Sequence, residues 1–187
     1  MLKSVARKLL LDKRKKLSHT DCLKMDDLLL IQFQKMDWSG VQCIGSFYPL
    51  ENHNEPNSLL LISYLKFFIP GLIVAYPRIN DDKLTMHFYK ETETLEVNKW
   101  GIQEPLPFNL ISPNQIDALL VPLIGFDLQG QRVGFGKGYY DRYFANYPSN
   151  RSRIGISYFE PLPKIEDTHE FDVPLTHCIT PSNSYEF

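Results

Sequence analysis

Apolar positions first recur along the chain at helical spacing. Val5, Leu9, Leu10 and Leu17 form one stripe, and Leu23, Leu28, Leu29 and Ile31 resume one after a break at Ser18-His19-Thr20-Asp21. Residues three and four apart share a helix face, and Ser18 is suited to stop the first helix and cap the second. The spacing predicts helices near residues 2–16 and 20–36. The pattern then changes. Val41 to Tyr48 is a short apolar run of β-branched and aromatic residues ended by Pro49, as expected of a buried strand. Residues 51–57 are polar and predict a loop, and Ser58 to Phe68 returns to helical character. Leu72 to Tyr76 predicts a second buried strand stopped by Pro77, and Leu84 to Tyr89 alternates like an antiparallel strand. Residues 98–108, broken by Gly101, Pro105 and Pro107, predict irregular chain. Ala118 to Pro122 is a third strand, Gly125 to Gly138 a glycine-rich loop, and Tyr139 to Asn146 a helix. Arg153 to Tyr158 and the short run Cys178 to Thr180 complete the strands.

Strands separated by helices predict an α/β fold: three layers, with a mostly parallel Rossmann-like sheet and helices on both faces. The 187 residues suit a single domain spanning residues 1–187, with two subdomains divided near residue 98 as the alternative. Ligands of such sheets bind beyond the carboxyl ends of the strands. Proline donates no ladder hydrogen bond, so the Pro49, Pro77 and Pro122 stops predict three strand ends on one edge. The loops carrying Glu55, Arg78 and the glycine-rich segment should converge there.

Composition narrows the function. A net charge of −2 gives no general attraction to nucleic acid, so any anion site must be local. Cys22, Cys43 and Cys178 have no metal-ligand spacing and predict no disulfide framework, which fits a reducing cytosol. No apolar run is long enough for a membrane span. The basic N-terminus lacks the unbroken apolar core of a signal peptide, and Asp12 interrupts its likeness to a mitochondrial presequence. The five histidines have no ligand spacing, although His53 lies near Glu55 as a candidate base.

The chemistry concentrates between Arg132 and Asp141. Gly134, Gly136 and Gly138 alternate around Phe135 and Lys137. Glycine permits positive φ and close approach of N–H groups to a ligand, and successive N–H groups form an anion cradle. Lys137 and Arg132 add full charges, so a phosphate chain is the natural guest, and Asp141 is placed to share a divalent cation with it. The bland alternative is a tight turn with solvated charges. The segment is neither GxxxxGK[ST], since Gly138 follows Lys137, nor GxGxxG, since the third glycine comes too early.

The run Gly130-Gln131-Arg132-Val133-Gly134-Phe135-Gly136-Lys137-Gly138-Tyr139-Tyr140-Asp141-Arg142 resembles the signature of the 5-formyltetrahydrofolate cyclo-ligase family. Further blocks are similar to that family over nearly the whole chain: Lys3 with Arg7, Phe47-Tyr48-Pro49 with Glu55, Ala75-Tyr76-Pro77-Arg78, Gly101-Ile102-Gln103-Glu104-Pro105, Val121-Pro122 with Phe126-Asp127, and Asp172. Phe135 stands where many members have Arg or Tyr, and residues 51–54 lengthen the loop before Glu55.

The resemblance implies ATP- and magnesium-dependent closure of 5-formyltetrahydrofolate to 5,10-methenyltetrahydrofolate by a cytoplasmic monomer that uses neither nucleic acid nor a membrane. It implies an ATP site at Lys3, Ser4, Val5, Ala6 and Arg7 and at Arg132, Val133, Gly134, Phe135, Gly136, Lys137, Gly138, Tyr139 and Tyr140, with Lys137 and Arg132 catalytic. Substrate contacts fall to Tyr48, Glu55, Phe135, Gly136, Lys137, Gly138 and Tyr139, and the metal to Asp141 and Asp172. Glu55 suits the paired N–H donors of a pterin edge, Tyr48, Phe135 and Tyr139 suit stacking on the ring, and Trp100 suits the aminobenzoyl region. From spacing alone Lys3 and Arg7 belong to a solvated basic stripe with Lys8, Lys13, Arg14, Lys15 and Lys16. The competing functions are another small-molecule phosphotransferase and a non-enzymatic folate or nucleotide binder.

Overall fold

The computed structural model describes residues 1–80 and 83–187. Two helices come first, α1 (Lys3–Lys15) and α2 (His19–Phe33). The break between them is a reciprocal cap: Ser18 Oγ accepts the Asp21 N–H at 3.1 Å, and Asp21 Oδ2 accepts the Ser18 N–H at 3.1 Å. Strand β1 (Cys43–Gly45) leads through a 3-10 turn (Glu51–His53) to α3 (Ser58–Phe68), whose N-cap Asn57 accepts the Leu60 N–H at 3.2 Å. There follow β2 (Ile73–Asn80), β3 (Thr85–Lys90), β4 (Leu95–Val97), β5 (Gln103–Pro105) and β6 (Leu110–Ile111). The last third holds β7 (Ala118–Pro122), β8 (Gly125–Phe126), β9 (Arg132–Val133), α4 (Tyr139–Phe144), β10 (Ser152–Ile156), β11 (His177–Ile179) and β12 (Ser184–Glu186).

Eight strands form one sheet in the order β12-β11-β10-β7-β1-β2-β3-β6. The five central strands are mutually parallel, β12 and β3 flank them antiparallel, and β6 pairs antiparallel with β3. The sheet draws strands from both sides of residue 98. Alternation along the strands splits the core in two. Ile44, Val74 and Leu120 face Leu29 and Phe33 of α2 and Leu61 and Leu65 of α3. Cys43, Ala75, Leu119 and Val121 face Tyr139, Tyr143 and Phe144 of α4. This is the three-layer α/β/α arrangement, with helices on both faces of a mostly parallel sheet. α1 lies apart, burying Ala6 and Leu10 with Ile124, Val133 and Ile165. At Gly45 an added Cβ would lie 2.1 Å from Leu119 Cδ1, so glycine lets β1 and the side chains over it close up. Among the described residues no helix is long and apolar enough to cross a membrane.

Four expectations are corrected. β1 stops at Gly45, not Tyr48, because its partners run out: after the Ser46 N–H reaches Ala75 O at 2.8 Å, the chain leaves the sheet. β2 does not stop at Pro77. It continues to Asn80 against β3, and at Pro77 the β1 side is no longer paired, so the missing N–H costs no ladder bond. Residues 98–108 are not wholly irregular, since β4 and β5 pair antiparallel. The glycine-rich stretch likewise begins with a β8–β9 pair, closed by buried Asp127, which accepts the N–H groups of Gln129 and Gln131 at 2.9 and 3.0 Å.

Candidate active site

β1 and β7 are parallel neighbours from which the chain departs in opposite directions: β1 to β2 on one side, β7 to β10 and β11 on the other. Such a switch point opens a crevice beyond the carboxyl ends of the strands. A cavity of about 650 Å³ lies there, lined by Phe47 and Tyr48 after β1, Pro77 and Ile79 of β2, and Pro122 at the end of β7. The three proline-marked segments do converge, although Arg78 turns away. Its Nη1 donates to Pro105 O at 3.0 Å and its Nη2 pairs with Glu96 at 2.8 Å, holding the β4–β5 hairpin.

The glycine loop forms one side of the cavity. Gly136 and Gly138 have φ of 90° and 68°, in the region that L side chains avoid, and Gly138 is the N-cap of α4. α4 has only six residues, so its dipole is weaker than the sequence led us to expect. The positive charge comes from side chains. Arg7 Nε donates to Gly134 O at 2.8 Å, and an added Cβ at Gly136 would lie 3.3 Å from Arg7 Nη2. That contact presses the start of α1 against the loop, so Lys3, Arg7, Arg132 and Lys137 all line the cavity. Lys137 is exposed and makes no ion pair among the described residues. Tyr140 also lines the cavity, and its buried hydroxyl has no hydrogen-bond partner among the described residues. Ser4, Val5, Ala6 and Val133 do not line it: Ala6 and Val133 lie in the core beneath α1, and Val5 is 53% exposed.

The two carboxylates expected to hold a metal are both at the cavity and both already neutralised. Asp141 Oδ1 accepts from Arg132 Nη2 and from the Val173 N–H, the latter at 3.2 Å. Asp172 Oδ2 accepts from Lys3 Nζ and from the His169 N–H, the latter at 2.7 Å. Burial alone would raise Asp172, but these bonds hold its carboxyl below the ordinary range. Each carboxylate thus receives its partners on a single oxygen. No cluster of three or more His, Cys, Asp or Glu suited to a metal occurs among the described residues. Two carboxylates fit a magnesium ion that takes its remaining ligands from phosphate and water.

Aromatic and acidic groups line the same cavity. Tyr48 stacks on Tyr76 with centroids 4.0 Å apart at 17°, Trp100 meets Tyr139 edge-on at 6.4 Å, and His53 meets Phe135 at 5.7 Å. Glu55 lines the cavity at 8% exposure, and its Oε2 accepts the Leu50 N–H at 3.0 Å. Burial raises its carboxyl above the usual range, against the pull of Leu50 and Arg14. Glu104, to which no role was assigned from sequence, is buried in the lining and accepts from the Ile79 N–H at 3.0 Å and Asn98 Nδ2 at 2.8 Å. It pins the hairpin that presents Trp100 and Ile102. Its place in the family-like block Gly101-Ile102-Gln103-Glu104-Pro105 was the available signal. Leu50 and Met86 also line the cavity with nothing in their local sequence to mark them, and so does Gln131, which sits inside the signature run.

The family model for 5-formyltetrahydrofolate cyclo-ligases matches residues 2–181. The 5-formyltetrahydrofolate cyclo-ligase of Mycoplasma pneumoniae is 30% identical over 166 residues, which span 84% of this chain and 86% of that protein. The solved structure of a 5,10-methenyltetrahydrofolate synthetase from Mycoplasma pneumoniae superposes with a TM-score of 0.75 at 30% identity, over 96% of this chain and 98% of that one. The synthetase of that name from Aquifex aeolicus gives a TM-score of 0.79 at 27% identity, over 100% of this chain and 93% of that one. With the signature loop, the acidic pair and the aromatic wall meeting in one cavity, and this match running almost from end to end, the chain belongs to the 5-formyltetrahydrofolate cyclo-ligase family.

Proposed function

We propose that the chain uses ATP and magnesium to cyclise 5-formyltetrahydrofolate to 5,10-methenyltetrahydrofolate, releasing ADP and phosphate. The observation that carries this reading is the make-up of one cavity: four cationic side chains and a positive-φ glycine loop line it together with aromatic rings and buried Glu55. A polyanion and a flat heterocycle with N–H donors are the ligands such a lining suits.

The chemistry is limited by a poor leaving group. The formyl oxygen attacks the γ-phosphorus and the bond to the ADP oxygen breaks, giving an imidate phosphate. The neighbouring exocyclic amine nitrogen then attacks the formyl carbon and loses its proton, and phosphate leaves with the former formyl oxygen as the five-membered ring closes. In this reading Lys137 and Arg132 balance the charge moving onto the transferring phosphoryl group, and Lys3 and Arg7 hold the rest of the triphosphate. Asp141 and Asp172 are the residues that would hold a magnesium ion, which would supply further neutralisation of the phosphates. Glu55 and the rings fix the pterin in line, so positioning and electrostatics supply the rate.

The test is the product's absorbance when protein, ATP, magnesium and 5-formyltetrahydrofolate are mixed, with ADP followed in parallel. The two should rise together in equal amounts. ADP without the methenyl band would mean a different phosphoryl acceptor, and neither would mean a binder.

A further inference from the structure

Behind the cavity lies a charge that the reaction scheme does not use. Arg14 stands in the last turn of α1 in the run Lys13-Arg14-Lys15-Lys16, yet it is fully buried while its three neighbours are exposed. Its Nη2 donates to Leu123 O at 2.7 Å, but Nε and Nη1 are buried without a hydrogen-bond partner among the described residues. A buried guanidinium with unmet donors opposes folding, so stability does not account for it.

Its ion-pair partner is Glu55, with Oε1 4.0 Å from Nη1 and side chains 0% and 4% exposed. That separation exceeds a hydrogen bond, but in a dry interior two charges so close are strongly coupled. The loop bearing Glu55 is fastened to the same helix end. Asn54, at φ 46°, donates through Nδ2 to Arg14 O at 2.9 Å and to Leu17 O at 3.2 Å. The carboxylate therefore has a fixed place between the cavity in front and the guanidinium behind.

We infer that Arg14 is a positioning residue for substrate recognition: from outside the cavity it keeps Glu55 an ionised acceptor for paired N–H donors on the ligand. The inference rests on the folate site proposed above. An ionised carboxylate accepts two adjacent N–H groups, whereas a protonated one turns a donor against a donor. Burial favours the protonated form of Glu55, and only the Leu50 N–H and Arg14 oppose it. The other groups near the pair add no second ion-pair cation among the described residues. The Tyr158 hydroxyl reaches Asp26 Oδ1 at 2.8 Å and the Glu55 backbone carbonyl at 3.4 Å, and Asp26 also accepts the Asn57 N–H at 2.9 Å. Cys22 lies on the Arg14 side, Tyr140 approaches from α4, and His53 stands two residues away in the same loop.

The experiment compares the wild-type chain, Arg14→Met and Arg14→Lys by methenyl formation, taking Michaelis constants for folate and for ATP from about pH 6 to pH 9. Any rise of the wild-type folate constant should be confined to the acid end of that range, since Arg14 opposes the burial that raises Glu55. In Arg14→Met it should rise about tenfold or more at neutral pH, the scale of a lost charge-assisted contact. It should then recover as pH climbs, because a carboxyl with a raised pKa ionises only at higher pH. The ATP constant should hold, and Arg14→Lys should restore part of the folate affinity. A folate constant that is unchanged, or raised equally at every pH, overturns the inference. If Arg14→Met does not fold, Arg14→Met/Glu55→Gln, which leaves no lone buried charge, is compared with Glu55→Gln. The pair should bind folate alike, and a further loss in the double variant overturns the inference. Absence of product with the wild-type chain overturns the proposed function itself and this inference with it.

Discussion

Lys137 and Arg14 are opposite cases of one residue type, the cation near a phosphate-binding cavity. Lys137 is exposed at the loop and pairs with no acid among the described residues, so its charge is available to a ligand. Lys137→Ala should therefore raise the ATP Michaelis constant and lower turnover. The lost charge-assisted contact is about 1.5–3 kcal/mol, or roughly tenfold to more than a hundredfold. Folate affinity measured without nucleotide should hardly move, and unchanged ATP kinetics would remove Lys137 from the site. Its placement was legible because three alternating glycines surround it. The burial of Arg14 was not. Four consecutive basic residues read as a solvated stripe, and only packing of α1 against Leu123 and the Glu55 loop singles one out. Sequence patterns report which face of a helix is apolar, not which cation the tertiary structure encloses.

At the scale of elements, the first turn of α1 is part of the cavity. The Lys3 N–H is held by Asp167 Oδ1 at 2.7 Å, its side chain by Asp172, and Arg7 by Gly134 O. Deleting residues 1–8 removes both cations and frees Asp172 of its partner. The truncated chain, if folded by circular dichroism, should lose ATP-dependent turnover. Full activity in a folded truncation would place the triphosphate elsewhere. Because Ala6 is buried in the core, Arg7→Met is the companion variant, and there the ATP constant alone should rise. Helices with side-chain caps were readable to within a few residues: Ser18 and Asp21 open α2, and Asn57 opens α3. Short strands were not. β4 and β5 are three residues each with mixed exposure, and β5 is held to distant β2 by the Ile79 N–H on Glu104 and by Arg78 on Pro105 O. β2 passes Pro77 because its neighbour β1 has already ended, a fact of the sheet and not of the local sequence.

At the scale of the whole molecule, the cavity is walled by stretches from residues 3–7, 47–55, 77–79, 100–104, 131–141 and 172–173, which only the folded sheet brings together. Any ligand that bridges them binds the native chain and has no equivalent site on the unfolded one. Binding must then raise the melting temperature by mass action. At a hundredfold excess over its dissociation constant, a ligand adds about 2.7 kcal/mol, which for a chain of this size is about 5–10 °C. Magnesium with ATP and 5-formyltetrahydrofolate alone should each give a shift of this order. The variants should separate the two halves: Lys137→Ala should lose mainly the nucleotide shift, and Arg14→Met mainly the folate shift at neutral pH. The melting scan needs no turnover, so it reports on the halves even where catalysis has failed. A shift from nucleotide but none from folate would mean that the aromatic side and Glu55 serve another ligand. No shift from either would mean that the cavity is not where these molecules bind.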